Sequence, residues 1–159
     1  MISTMTLQIV LASNSPRRRQ LLALGGWGFA ALSADVDETR LPAEKPAAYV
    51  LRLAETKSRA AAMQAAPGQV IIAADTTVVD GDDILGKPAD GTEAGSMLKR
   101  LRGRTHQVYT GIAVLAPREG RMLTDLCITD VPMRAYTDEE IAAYILSGDP
   151  FDKAGAYAI

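Results

Sequence analysis

The sequence predicts an α/β fold in one domain, built on a mixed sheet flanked by helices. A length of 159 residues suits one domain of ordinary size. Short apolar runs rich in β-branched residues alternate with stretches of helical periodicity, which is typical of strand–helix units. A long hairpin pattern lies among these units, and it makes the predicted sheet mixed rather than purely parallel.

The first predicted elements are a buried strand and a capped helix. Leu7–Ala12 is an apolar run typical of a buried strand. Ser15 and Pro16 suit the N-cap and the first position of a helix that runs to about Leu24. A second strand over Gly28–Ala34 and a polar, acidic loop then follow.

The middle of the chain predicts a long helix and a second buried strand. The helix runs from Pro46 to about Ala66 and ends at Pro67-Gly68, and its apolar residues recur at helical spacing: Val50, Leu53, Ala54 and Ala61. The strand begins near Gln69 and continues through Asp75 to Val79.

The last third predicts a helix, a hairpin and a second capped helix. The helix covers Asp90–Arg102, and the hairpin strands His106–Ala116 and Arg121–Ala135 are joined at Pro117–Gly120. Thr137 and Glu140 form a capping-box pattern, which opens a helix that ends near Gly148.

Composition excludes several classes of function. A formal net charge of −2 and 5% aromatic residues argue against a nucleic-acid partner. No apolar run approaches the ~18 residues of a membrane span, and the N-terminus lacks a signal-peptide pattern. The single cysteine, Cys127, lies between apolar neighbours and is predicted to be a small core residue, which fits a reducing, cytoplasmic compartment. One histidine and one cysteine leave only carboxylates to hold a metal, which favours Mg²⁺ or Mn²⁺.

A basic cluster follows the first strand. Ser13, Ser15 and three consecutive arginines, Arg17, Arg18 and Arg19, stand at the predicted helix start. The cluster is either a plain helix cap with exposed arginines or a phosphate site. The helix macrodipole disfavours cations at a helix N-terminus, so three arginines there indicate a functional role, and we favour a phosphate site. No Walker loop is present in the sequence.

Charged residues elsewhere complete a candidate site. Asp75 interrupts an apolar strand, where it serves either as a turn residue or as a group that holds a metal or orients water. Lys57 and Lys87 are taken singly as solvated surface lysines, or together as phosphate ligands. The acidic loop at Asp35–Glu38 is either a source of metal ligands or an ordinary solvated loop. His106, the single histidine, is either a general base or a structural residue at a strand start, and we favour the structural place. This combination is typical of metal-assisted phosphoryl chemistry.

The ordered motifs resemble the Maf family of nucleotide pyrophosphatases, also described as septum formation inhibitors. The resemblance runs almost from end to end of the chain. The matching segments are Leu11–Arg18, Val36–Glu38, Leu53–Lys57, Ala74–Thr76, Gly86–Pro88, Gly103–His106, Tyr109–Gly111 and Asp152–Tyr157.

The resemblance implies a fold, a reaction and residue roles. It implies a domain with a deep substrate cleft and hydrolysis of a nucleoside triphosphate to the monophosphate and pyrophosphate, with Mg²⁺ or Mn²⁺. Asp75 would be the catalytic carboxylate, as proton acceptor for the water or as a metal ligand, and Glu38 would help to hold the metal. The implied phosphate-binding residues are Ser13, Arg18, Lys57 and Lys87. Arg17 and Thr76 resemble the branch that prefers dTTP and UTP.

Three further expectations follow from the resemblance. Family members continue beyond the motif that ends at Ile159, so we expect one Maf-like domain over 1–159 that lacks its C-terminal segment. We expect a cytoplasmic enzyme that removes unwanted nucleotides, and the resemblance is compatible with a homodimer. The rival hypothesis is a regulatory binding protein of septum formation with incidental or lost hydrolysis, whose cellular effect would survive Asp75→Asn.

Overall fold

A computed structural model describes residues 8–158, which form a mixed sheet and four α-helices. The strands are β1 (Ile9–Ala12), β2 (Phe29–Leu32), β3 (Val70–Asp80), β4 (Asp83–Leu85), β5 (Thr105–Ala116) and β6 (Arg121–Pro132). The helices are α1 (Pro16–Ala23), α2 (Pro46–Ala62), α3 (Gly91–Leu101) and α4 (Asp138–Leu146). Short 3₁₀ helices cover Pro117–Glu119, Asp149–Asp152 and Ala154–Ala156.

The sheet has the order β2-β1-β3-β5-β6, with β4 paired to β3. Strand β1 runs parallel to β2 and β3, with Val10 opposite both Ala30 and Ile71. Strand β4 runs antiparallel to β3, so the predicted mixed sheet is confirmed. The sequence did not predict β4, because its three residues are too few for a periodic signal.

The described chain forms two compact units. The first comprises residues 8–75 with Gly111–Leu126, and the second comprises Thr76–Thr110 with residues 127–158. Each unit has its own apolar core: Val10, Ile71, Ala73 and Leu115 lie in the first, and Val78, Leu98, Leu101 and Ile141 in the second. The division does not test the expectation of one domain over 1–159, which stays a prediction.

Helix α2 packs closely within the first unit. Its predicted apolar face is confirmed, since Val50, Leu53, Ala54 and Ala61 are fully buried. A Cβ atom at Gly111 would lie 2.7 Å from the Val50 backbone, so only glycine permits this approach between α2 and β5. The helix ends four residues before the predicted Ala66, where Ala66 and Gln69 exchange local hydrogen bonds instead.

Cys127 is exposed, so its prediction as a core residue was wrong. It lies on β6, which ends the strand order and whose residues are mostly exposed. An apolar neighbourhood in sequence indicates a strand, but burial also requires a covering layer of side chains.

A buried polar pair holds the start of β5 in the second unit. The Nε2 atom of His106 is hydrogen-bonded to the hydroxyl of Tyr157, and its Nδ1 has no hydrogen-bond partner in the described part of the chain. Burial lowers the pKa of His106 and raises the pKa of Tyr157 to about 12. The structural place that the sequence indicates for His106 agrees with this burial. None of the helices within residues 8–158 is long and apolar enough to cross a membrane.

Candidate active site

The residues predicted to bind phosphate lie where β1 leads into α1. Ser13 is buried, and its Oγ accepts a hydrogen bond from the Ser15 amide at 3.1 Å. Ser15 is the helix N-cap, and its side chain accepts from the Arg18 amide. Pro16 occupies the first helical turn as predicted. A strand end, a hydroxyl and a helix start therefore coincide within one short segment.

Arg18 is the arginine of the basic cluster that turns toward the protein. Its Nη1 donates to the carbonyl of Ala74 at 2.7 Å, directly before Asp75 on β3. Burial lowers the pKa of Arg18, while the charges of Asp75 and Glu38 act in the opposite direction. Arg17 and Arg19, by contrast, are exposed. The cluster thus divides into one inward and two outward arginines, which the sequence alone did not separate.

Three charged residues meet in the first unit. The Nζ of Lys57 lies 2.6 Å from Oδ1 of Asp75 and 2.7 Å from Oε1 of Glu38. The side chains of Lys57 and Asp75 are 11% and 9% exposed, whereas that of Glu38 is 54% exposed. Lys57 is therefore not a solvated surface lysine, which is what the sequence indicates when Lys57 is considered alone.

The electrostatics of Asp75 differ from those of an ordinary ion pair. Burial raises the pKa of Asp75, and this effect exceeds the opposing effects of the Lys57 hydrogen bond and charge. The Glu38 charge raises the pKa further. A carboxylate with a raised pKa is a better proton acceptor once ionised, which suits a general base.

Tyr49 and Arg52 on α2 contact the loop that carries Glu38, and neither residue was predicted from the sequence. The Tyr49 hydroxyl donates to the backbone carbonyl of Glu38 at 3.0 Å, and Arg52 Nη2 donates to that of Thr39 at 3.1 Å. Burial, followed by the charges of Asp75 and Glu38, raises the pKa of Tyr49. The spacing of Tyr49, Leu53 and Lys57 at every fourth residue was the available signal.

Thr76 and Lys87 belong to the second unit. The Thr76 hydroxyl lies 3.1 Å from that of Thr110, and Thr76 is exposed. Lys87 is exposed and follows β4. The backbone of the preceding residue, Gly86, accepts a hydrogen bond from Gly155 at 3.0 Å. Of the predicted site residues, the structure thus brings Arg18, Glu38, Lys57 and Asp75 into one electrostatic group.

The two carboxylates of this group, Glu38 and Asp75, are candidate ligands for a divalent metal. No cluster of three or more carboxylate, histidine or cysteine side chains suited to a metal occurs within residues 8–158. Glu38 and Asp75 nevertheless both bind one cation, the Lys57 ammonium. Two carboxylates with water and phosphate oxygens are a common ligand set for Mg²⁺, so these residues fit the group.

Comparison with known proteins decides the family. The family model described as "Maf-like protein" matches residues 8–159. The chain belongs to the Maf family. This Maf chain is 45% identical over 151 residues to the dTTP/UTP pyrophosphatase of Escherichia coli O157:H7, covering 95% of the chain and 76% of that relative. It is 49% identical to the dTTP/UTP pyrophosphatase of Myxococcus xanthus strain DK1622, with coverage of 95% and 75%.

A solved structure supports the fold of this Maf chain. The Ham1 protein of Staphylococcus aureus matches with a TM-score of 0.52 at 17% identity, covering 79% of this chain and 71% of that one. The similarity confirms the α/β fold class predicted from sequence.

Proposed function

We propose that this Maf chain hydrolyses dTTP and UTP to the nucleoside monophosphate and pyrophosphate. The observation that carries the proposal is Asp75, a buried carboxylate with a raised pKa held beside Lys57. The names of its relatives, dTTP/UTP pyrophosphatase, support the substrate class. The resemblance of Arg17 and Thr76 to the dTTP- and UTP-preferring branch supports the same pyrimidine preference.

In the proposed reaction, Asp75 accepts a proton from the attacking water. The water oxygen bonds to the α-phosphorus, the bond from that phosphorus to the bridging oxygen breaks, and pyrophosphate leaves with the electron pair. Charge therefore grows on the pyrophosphate oxygens as the bond breaks. The cationic side chains Arg18 and Lys57 stabilise this charge, and Ser13 supplies a hydroxyl donor to the phosphates. The same role for Lys87 rests on the family resemblance.

Glu38 and Asp75 are the residues that would hold Mg²⁺ or Mn²⁺. A divalent ion held by these two carboxylates would supply neutralisation of phosphate charge and orientation of water. Asp75 has two carboxylate oxygens, and Oδ1 is the one that contacts Lys57. One oxygen of Asp75 therefore binds the Lys57 ammonium, and the other would contact the divalent ion or the attacking water.

The proposal also covers the partners of the protein and its cellular compartment. A net charge of −2 supports a protein that acts on nucleotides without a nucleic-acid partner. A single cysteine supports a cytoplasmic enzyme. The homodimer and the role in removing unwanted nucleotides rest on the family resemblance.

Hydrolysis in ¹⁸O-labelled water tests the reaction. The chain is incubated with dTTP, UTP, dCTP, dATP and GTP, with Mg²⁺ or Mn²⁺, and products are analysed by mass spectrometry. We expect pyrophosphate from dTTP and UTP, with the label in the monophosphate, because attack is at the α-phosphorus. Label in pyrophosphate, or release of inorganic phosphate, would refute the proposed reaction, and faster turnover of a purine nucleotide would refute the substrate.

A further inference from the structure

We infer that Tyr49 and Arg52 are positioning residues that fix the loop carrying Glu38, so that this carboxylate is preorganised for the divalent cation. The inference rests on the proposed function, because it concerns the role of Glu38 in hydrolysis. Neither residue touches the reacting groups in this assignment. Both act through the backbone of the loop between β2 and α2.

The loop is attached to α2 at consecutive carbonyl groups. Tyr49 binds the carbonyl of Glu38, and Arg52 binds the carbonyl of the next residue, Thr39. These two bonds fix the peptide planes that follow the Glu38 Cα, and hence the direction in which its side chain leaves the loop. The Glu38 side chain itself is 54% exposed, so packing contributes little to its position.

A second contact set holds Arg52 in place. Its Nε and Nη2 bind the two carboxylate oxygens of Glu44 at 2.6 and 2.8 Å, a bidentate pair that only arginine can form. The Glu44 side chain is 7% exposed, and its Oε2 also accepts from the Leu41 amide. The Arg52 guanidinium lies 5.6 Å from the centroid of the Tyr49 ring. The middle of the loop and its C-terminal end are thereby joined to α2.

This same helix carries Lys57, which contacts Glu38 directly. The helix therefore places the loop backbone and one cation as a unit. Loss of a backbone anchor would leave the half-exposed Glu38 side chain held by its ion pair with Lys57, and a pair with one solvated partner contributes little order by itself. The expected defect is a mobile Glu38 with an intact fold.

Tyr49→Phe and Arg52→Lys test the inference, since each keeps bulk or charge and removes the specific donors. Arg59→Lys on the same helix is the matched control, because Arg59 is 64% exposed and pairs only weakly with Glu55 at 3.9 Å. Each substitution is made alone and together with Glu38→Gln. Turnover of dTTP is measured, and Mn²⁺ binding with the αβ-imido analogue of dTTP is followed by electron paramagnetic resonance.

We expect Tyr49→Phe and Arg52→Lys to lower kcat/KM by about tenfold and to weaken Mn²⁺ binding, with Arg59→Lys unchanged. In the Glu38→Gln background the same substitutions should have almost no further effect, because the residue they position is gone. Effects that multiply with Glu38→Gln would overturn the inference and leave the proposed function standing. Full activity of Glu38→Gln alone would instead refute the proposed role of Glu38, and with it this inference.

Discussion

Two buried aspartates on β3 have opposite electrostatic surroundings. Asp75 and Asp80 have the same residue exposure of 7%. Burial raises the pKa of Asp75. The hydrogen bond from Arg100, the largest cause, lowers the pKa of Asp80, and the charge of Arg104 acts in the same direction. Equal surface exposure of a residue therefore does not determine whether its carboxylate is stabilised in the charged form.

The difference arises from burial as well as from the cationic donors, because burial is the largest cause at Asp75 and is outweighed by the Arg100 hydrogen bond at Asp80. Arg100 Nε and Arg104 Nη2 bind separate oxygens of Asp80 at 2.6 and 3.0 Å, which saturates the carboxylate. Asp75 is bonded through Oδ1 to Lys57, and Lys57 is shared with Glu38. A saturated carboxylate stabilises the fold, whereas an incompletely compensated one is available for chemistry.

Asp75→Asn should produce the largest change in activity. We expect kcat/KM for dTTP to fall by about 10²–10⁴-fold, because the amide cannot accept a proton from water. The free energy of unfolding should not fall, since a raised pKa means that the fold favours the neutral group. Pyrophosphate release and urea unfolding measure the two quantities. Turnover at the wild-type rate would refute the assignment of Asp75 as the base.

Lys57→Gln should change both the rate and its pH dependence. Lys57 lowers the pKa of Asp75 through a hydrogen bond and its charge, so its removal raises that pKa further. Asp75 must be ionised to act, so the acidic limb of the pH profile of kcat/KM should move to higher pH. We expect a loss of about ten- to a hundredfold in kcat/KM at neutral pH.

Lys99→Gln is the matched control for this substitution, because Lys99 is 52% exposed and pairs with Asp138 in the second unit. Its acidic limb should coincide with that of the wild type. A Lys57→Gln profile with an unmoved acidic limb would show that Asp75 does not govern that limb.

The sequence could predict the elements of the fold because their signals are local. Ser15 and Pro16 begin α1, and the capping box of Thr137 and Glu140 begins α4, as the structure confirms. Each depends on contacts within a few residues of the chain. The length of α2 was overestimated, because helical propensity continues past the point where local turn bonds end the helix.

Site geometry depends on contacts between distant parts of the chain. Asp75, Lys57 and Glu38 were candidates from residue type and family resemblance, but the shared ammonium was not predictable from spacing. Tyr49 was missed because its role is exerted on the backbone of Glu38, and a backbone carbonyl leaves no residue-specific signal in a sequence. The prediction for Cys127 failed for the related reason that burial depends on neighbouring elements.

Asp80→Asn should have the opposite effect to Asp75→Asn. We expect it to lower the free energy of unfolding by about 1–3 kcal/mol, because it removes charge-assisted hydrogen bonds from two arginines. Both arginines are partly exposed, which keeps the loss below that of a fully buried pair. Urea unfolding at pH 7 measures the change, with kcat/KM expected within about threefold of wild type. Unchanged stability would mean that Asp80 is not a structural carboxylate.

The smallest expected effect is a difference in the pH windows of the two variants. Both aspartates have an ordinary pKa of 3.8 in the unfolded chain. The folded pKa of Asp80 is lower, so its contribution is present above 3.8 and is lost as the pH falls below that value. The folded pKa of Asp75 is higher, so the cost of its charge disappears as the pH falls toward 3.8.

Urea unfolding of the wild type, Asp75→Asn and Asp80→Asn between pH 7 and 3 separates these windows. Any stability advantage of Asp75→Asn over the wild type should disappear as the pH falls from 7 to 3.8. The stability deficit of Asp80→Asn should disappear only as the pH falls below 3.8. Subtracting each variant from the wild type cancels the carboxylates they share, so the two differences report Asp75 and Asp80 individually. Differences that close in the same pH window would mean that the two aspartates share one electrostatic environment, contrary to the contacts of Lys57, Arg100 and Arg104.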